Sequence, residues 1–305
     1  MTLDQLLVLS KIAETGSFRA AAGVLHRAQS AISYAIKNLE DELGMELLCR
    51  DQYRPTLTPA GEAVLFKARQ VLAGTNEITD LARQLRLGDE PFLNLAISAI
   101  VPLGPVIPVL KELGQRKPHL VLNLRVEVLA SQWKVQEERA DLAISELFHN
   151  AEAESLEKFP LGHVRMKAVA APSHPLALHA GCIKETELRL HTQVILPSTD
   201  DGGNRFKAGV MEGAGTWSVS DFSSKRHLLL GGLGWGLMPL SIVDQDLQMG
   251  RLVALDVEPY TEFSIPIFLM RKRKKGQGPC AKLLWTILSA VHLGSANWIG
   301  DLEDG

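Results

Sequence analysis

From Pro59 to Arg86 the chain runs without a second proline, and Val64, Ala68, Val71, Thr75, Ile78, Ala82 and Leu85 recur along it at alternating intervals of four and three. That spacing puts them on one seam of a single long helix, the pattern of a coiled coil. Thr58 supplies an N-cap, Pro59 a first helical position, and Gly88-Asp89-Glu90-Pro91 a stop. Leu65, Leu72 and Leu81 flank the seam, and the small Ala68 and Ala82 permit close approach. The seam therefore reads as a dimer contact in preference to a face lying on its own domain. Such a helix splits the chain into a small N-terminal part and a large C-terminal one, and 305 residues fit two or three domains.

Ahead of the long helix, Leu3, Leu6, Leu7, Leu9 and Ile12 predict a first helix ending near Thr15-Gly16. Ser17 is placed to cap a short second helix through Phe18-Arg19-Ala20-Ala21-Ala22. After a turn at His26-Arg27-Ala28, a third helix begins at Gln29, with Ile32, Ile36, Leu39 and Leu43 as its buried stripe. Gln29, Ser30, Ser33, Tyr34 and Lys37 fall on the opposite face. Amides and hydroxyls read base edges in a major groove while Lys and Arg hold phosphates, so this is a helix-turn-helix candidate. Short strands near 47–48 and 56–58 bracket a wing whose Arg50 and Arg54 are placed to reach a flanking phosphate or minor groove. Ser17, Arg19 and Arg27 complete the expected DNA contacts. Residues 1–58 hold six Lys and Arg against seven Asp and Glu. Phosphate neutralisation supplies much of DNA affinity, so two copies of so balanced a domain are expected to act together.

These sixty residues resemble the LysR-type transcriptional regulators. The resemblance rests on Ala13-Glu14-Thr15-Gly16-Ser17-Phe18, Ala20-Ala21-Ala22, Leu25-His26, Gln29-Ser30-Ala31-Ile32-Ser33, Leu39-Glu40-Asp41-Glu42-Leu43-Gly44, Leu47-Leu48-Cys49-Arg50 and Leu57-Thr58-Pro59-Ala60-Gly61, without a gap. The chain departs from the family's usual residues at Ala28, where Ser or Thr is common, at Ser30, where Pro is, and at Leu48, where Phe is.

Beyond residue 91, apolar runs at 92–97, 120–126, 141–144, 167–171, 192–196, 217–219, 252–255 and 265–270 predict strands. Helices are expected at 102–113, 132–139, 224–230 and 281–292, and 236–239 is expected to turn. Strand-helix alternation predicts a parallel sheet with helices on both faces. Two such lobes with a late strand returning to the first look like a type 2 periplasmic-binding-protein-like fold. The family resemblance, carried here by Ala140-Asp141-Leu142-Ala143-Ile144, Ala171-Pro172-Ser173-His174-Pro175-Leu176 and Gly232-Leu233-Gly234 through Pro239, implies the same. The expected organisation is a winged helix-turn-helix domain at 1–58, a dimerising linker helix at 59–88, an effector-binding domain at 92–293 and a tail at 294–305. Lobe 1 would take 92–161 and 267–293, and lobe 2 162–266, hinged near 161–163 and 264–267. Ligands of open α/β sheets sit beyond the carboxyl ends of strands. That points to Ser98, Ala99, Ile100, Ser131, Ser145, Ser198, Thr199 and Phe222 as effector contacts.

The resemblance implies a regulator that binds double-stranded promoter DNA as a homodimer or homotetramer, answers to a small-molecule effector, engages RNA polymerase, and works in the bacterial cytoplasm on the nucleoid. A net charge of −3 argues against a polybasic nucleic-acid coat, and no apolar run reaches the ~18 residues of a membrane span. The N-terminus shows no secretory signal pattern. Cys49, Cys182 and Cys280 are too scattered for a disulfide framework or zinc site, and no cofactor is expected. The glycine cluster at 231–236 follows a helix and lacks the dinucleotide spacing, His174, His179 and Cys182 give no convincing metal set, and Arg271-Lys272-Arg273-Lys274-Lys275 reads as a solvated loop. No catalytic motif is present, so no enzyme is expected. The rival reading is a metabolite-binding receptor without DNA function.

Overall fold

The computed structural model describes residues 1–49, 55–148, 153–179, 181–199, 209–258, 263–273 and 276–291. They form two compact units, Met1–Leu87 and Gly88–Gly305.

In the first unit α1 (Leu3–Thr15), α2 (Phe18–Val24) and α3 (Gln29–Leu43) precede a two-stranded antiparallel ribbon, β1 (Leu48–Cys49) and β2 (Thr56–Leu57). The long helix α4 (Pro59–Arg86) follows, capped by Thr58, whose Oγ1 accepts from the Gly61 N–H at 2.9 Å. Thr2 and Gln5 form a capping box on α1, and Ser17 Oγ accepts from Ala20 N–H at the head of α2. The helices close on one core that includes Leu9, Ile12, Ile32, Ile36, Leu39 and Leu65. Burying each such side chain contributes ~1.5–3 kcal/mol. Glu40, on the inward side of α3, accepts from the N–H groups of Leu47 at 2.8 Å and Leu48 at 3.1 Å. A carboxylate that satisfies two buried donors thus ties α3 to β1.

The second unit contains β3 (Phe92–Ser98), α5 (Val106–Arg116), β4 (Val121–Glu127), α6 (Ser131–Gln136), β5 (Leu142–Glu146) and the long β6 (Leu156–Ala170). It continues with α7 (Glu185–Leu188), β7 (Gln193–Ile195), β8 (Thr216–Ser218), α8 (Phe222–Leu230), β9 (Trp235–Pro239), α9 (Leu240–Gln248), β10 (Val253–Ala254), β11 (Phe263–Lys272) and α10 (Pro279–Val291). The strands join one sheet in the order β4-β3-β5-β11-β6-β9-β7-β8, with β10 on β6. Expectation and structure differ here. The sheet is mixed: β3 runs parallel to β4 and β5, and β7 to β8 and β9, while β6 and β11 are antiparallel to each other and to their other neighbours. Residues 236–239 do not turn but lie in the buried strand β9, and α9 follows directly.

Two lobes share this sheet. β3, β4, β5, α5, α6 and α10 make lobe 1, α7 to α9 and β7 to β10 make lobe 2, and β6 and β11 run through both. Their pairing slips by one residue between the lobes: Ile267 faces Gly162 and Phe268 faces Pro160, so Leu161 is an extra residue. Gly162 takes φ +137°, a conformation that glycine adopts without strain. At the lobe 1 end, Arg271 is held bidentately by Glu157, both contacts at 2.8 Å, with its guanidinium 4.1 Å from the Trp285 ring centre. Arg271 and Lys272 are therefore part of β11, not of a loop, and Lys274 and Lys275 lie outside the described residues. No helix among the described residues is long and apolar enough to cross a membrane.

Candidate functional site

The outer face of α3 presents Gln29, Ser30, Ser33, Tyr34 and Lys37 to solvent, while Ile32, Ile36 and Leu39 are fully buried. Gln29, Ser33 and Lys37 follow at intervals of four and so form one row on the helix. With Glu40 turned inward, that face carries no exposed acid before Asp41. Ala28 offers α3 no side-chain cap, so the first backbone N–H groups of the helix point outward without a capping oxygen. Arg19 is exposed on α2, and Ser17 caps that helix. Arg27 is ion-paired with Asp4 at 2.7 Å, which raises its pKa further above the usual arginine value. Arg50 and Arg54 lie outside the described residues.

Along α4 the seam divides. Ala68 is buried in the core of its own unit, and Val64, half-buried, packs against that core. Val71, Ile78, Ala82 and Leu85 are exposed, Ile78 at 68%.

In the second unit a cavity of about 250 Å³ lies between the lobes. Lobe 1 contributes Ser98, Ala99 and Ile100 after β3, Val128 and Leu129 after β4, and Glu146 to Phe148 at the end of β5. Lobe 2 contributes Ile195 and Leu196 at the end of β7, and Phe222 and Lys225 from α8. The cavity thus sits beyond the carboxyl ends of the strands. Ser131 and Ser145 are fully buried and do not line it. Glu146, the neighbour of Ser145, lines the cavity, and Ser145 reaches it only indirectly, donating to Glu146 Oε2 at 3.3 Å. Ser198 is absent from the lining, and Thr199 is engaged elsewhere. Its N–H donates to the Val128 carbonyl at 3.0 Å, its Oγ1 donates to Glu127 at 2.6 Å, and that oxygen accepts from Val128 N–H at 3.1 Å. Thr199 latches lobe 2 to lobe 1 beside the cavity.

Two ionisable groups face the cavity. Burial raises the pKa of Glu146; the Ser145 hydroxyl donates to its Oε2 at 3.3 Å, while its Oε1 and the Ser98 Oγ reach no hydrogen-bond partner. Lys225 is only 5% exposed, and desolvation lowers its pKa to about 7. No ion pair joins the two. Lys225 Nζ lies 5.9 Å from the Phe222 ring centre. A Cβ on Gly236 would stand 2.8 Å from Lys225 Cε, so glycine there clears a path for the lysine chain. The sequence reading missed both groups. The available signal was the interval Phe222, Lys225, Leu229, which sets the lysine on the inward face of α8.

Cys280 is buried and pushed up to about 11 by burial and by Glu90 and Asp89, and Cys182 is raised by desolvation and by Asp256 and Glu258. No metal-holding group of His, Cys, Asp and Glu occurs among the described residues.

Residues 3–62 match the family described as bacterial regulatory helix-turn-helix protein, lysR family, and residues 88–292 match the LysR substrate binding domain. The chain belongs to the LysR family. It is 30% identical over 278 residues to the probable HTH-type transcriptional regulator YhaJ of Escherichia coli K12, covering 91% of this chain and 93% of that one. It is 29% identical to the HTH-type transcriptional activator AllS of Klebsiella pneumoniae, covering 84% and 96%. In fold it is similar to ArgP from Mycobacterium tuberculosis, with TM-score 0.53 at 21% identity over 97% of this chain and 98% of that one. Full-length LysG from Corynebacterium glutamicum gives TM-score 0.51 at 24% identity over 96% and 98%. This LysR chain is a transcriptional regulator with a DNA-binding helix-turn-helix and an effector-binding unit, and it is not an enzyme. The match over residues 3–62 removes the reading as a receptor without DNA function.

Between about pH 7 and 10.5 the folded chain binds fewer protons at Lys225 than the unfolded one, so this group makes stability rise with pH across that window. Lys225→Met removes the buried amine. It is expected to raise unfolding free energy most below pH 7, by up to ~5 kcal/mol at 1.36 kcal/mol per unit, and to lose that advantage as pH approaches 10.5. Urea unfolding of both proteins across this range checks it, since Glu146 titrates in both; a gain independent of pH would contradict it.

Proposed function

We propose that α3 docks in a major groove with Gln29 and Ser33 on base edges. Lys37 holds a phosphate, and Ser17, Arg19, Ser30, Tyr34, Arg50 and Arg54 line the rest of the contact. The exposed row of amide, hydroxyl and cation on α3, cleared of acid by the inward turn of Glu40, is the observation that carries this reading. Arg27 would join after exchanging Asp4 for a phosphate. Val71, Ile78, Ala82 and Leu85 of two copies form the seam that spaces two such helices about one DNA turn, or a multiple, apart. The inter-lobe cavity, with Ser98, Ala99, Ile100 and Phe222 in its wall, holds the effector, and the lobes hinge near 161–163 and 264–267. The regulator works in the bacterial cytoplasm on promoter DNA at the nucleoid, where it contacts RNA polymerase.

DNA upstream of the chain's own gene provides the test. Gln29→Ala should cost ~1–3 kcal/mol and relax preference at one base position. Lys37→Ala should weaken all sequences alike and flatten the dependence of binding on salt. Unchanged operator preference in Gln29→Ala would show the docking to be wrong.

The seam predicts a separate result. Val71→Asp with Ile78→Asp sets like charges against each other across the helix pair, and an unpaired buried charge is strongly unfavourable. Light scattering should show a lower mass and gel shifts a weaker operator complex at fixed salt. Unchanged mass and affinity would place self-association elsewhere.

A further inference from the structure

Lys225 is the feature that its unit's own packing does not account for. It lines a cavity whose walls, apart from Ser98 and Glu146, are supplied by Ala99, Ile100, Val128, Leu196 and other apolar groups. Among the described residues, the acids around α8 are already engaged. Asp221 caps the helix through Ser224 N–H at 2.8 Å, and the fully buried Asp246 holds Arg226 at 2.5 Å and Arg251 at 2.6 Å. Across the cavity, Glu127 accepts from Thr199. Glu146 does not reach the lysine, and burial favours its neutral acid, a hydrogen-bond donor in place of a counter-charge. The backbone nonetheless makes room for the amine at Gly236. A buried ammonium without an anion is strongly disfavoured, and an anion entering the same dry space restores its charge.

Building on the reading of this cavity as the effector site, we propose that the effector is a compact organic monocarboxylate. Its carboxylate pairs with Lys225, and its apolar body fills the space between Ala99, Ile100 and Phe222. Glu146 Oε1 and the Ser98 hydroxyl, both without a hydrogen-bond partner, meet one uncharged polar atom at its far end. A cavity of about 250 Å³ takes roughly ten non-hydrogen atoms, on the scale at which 150 Å³ holds benzene. The same chemistry excludes two other classes. A cation would be set against the Lys225 amine, and a sugar would leave most of its hydroxyls against apolar walls.

The experiment is calorimetric titration of the full chain with matched probes: 4-methylpentanoate, benzoate and 4-hydroxyphenylacetate, the amide of each, and leucine as the zwitterion. At least one carboxylate should bind, its amide at least tenfold more weakly. Lys225→Met and Lys225→Gln should each lose at least tenfold for the carboxylate and leave the amide unchanged. Ala99→Phe, which fills the cavity, should abolish binding of both. The ligand class is overturned, while the cavity reading stands, if carboxylate and amide bind alike. The same holds if leucine outbinds 4-methylpentanoate, or if both Lys225 variants keep wild-type affinity for the carboxylate. If no carboxylate or amide binds, or if Ala99→Phe leaves binding intact, the cavity reading falls with the proposal.

Discussion

Pairing of β6 with β11 is the interaction on which the second unit depends. It runs from Phe263 opposite Met166 to Lys272 opposite Leu156 and so spans both lobes. The strands that end at the cavity are ordered on either side of this ribbon, β5 on β11 and β9 on β6. The one-residue slip at Leu161 lies where one lobe gives way to the other. An extra residue breaks the ladder locally and increases twist, so the ribbon bends there without parting. The bidentate contact of Glu157 with Arg271 fixes the end away from the cavity.

Two adjacent cations on α8 show how position decides chemistry. Neighbouring helical residues face different directions, so Arg226 points to Asp246 and is neutralised, while Lys225 points into the cavity and is not. Asp246 also holds Arg251 after α9, which anchors α8 against that helix. An unpaired buried amine lowers the stability of the empty unit. Such a group is retained where a ligand uses it, the usual exchange of stability for function at binding sites.

The N-terminal unit was legible because its elements are local: caps, turns and the stripe of Ile32, Ile36 and Leu39 all lie within one helix and its boundaries. Glu40 was not, because its partners Leu47 and Leu48 are defined only once β1 packs against α3. In the second unit strand positions could be read but not their directions, since nothing local tells a parallel neighbour from an antiparallel one. The polar residues Glu157, Lys158 and Arg165 hid the length of β6, which is continuously buried only over its last three residues, Ala168, Val169 and Ala170. The strand-end rule points to Ser98, Ala99 and Ile100, which line the cavity, and to Ser145 where the neighbouring Glu146 lines it, because alternation was not followed to the last residue. Ala68 was assigned to a partner's surface because a heptad does not say which copy it packs on; the structure buries it at home.

We propose that ligand binding becomes motion at the inter-lobe cavity, with the slip at Leu161 as pivot. The direct measurement is an electron-resonance distance between spin labels at Ile107, exposed on lobe 1, and Leu190, exposed on lobe 2, in the full chain with Cys49 and Cys182 replaced by Ser. With the tightest-binding carboxylate present, the distribution is expected to narrow and shift relative to the ligand-free chain. Two distributions that superimpose at saturating ligand would show that the lobes form one rigid body and that the cavity signals in some other way.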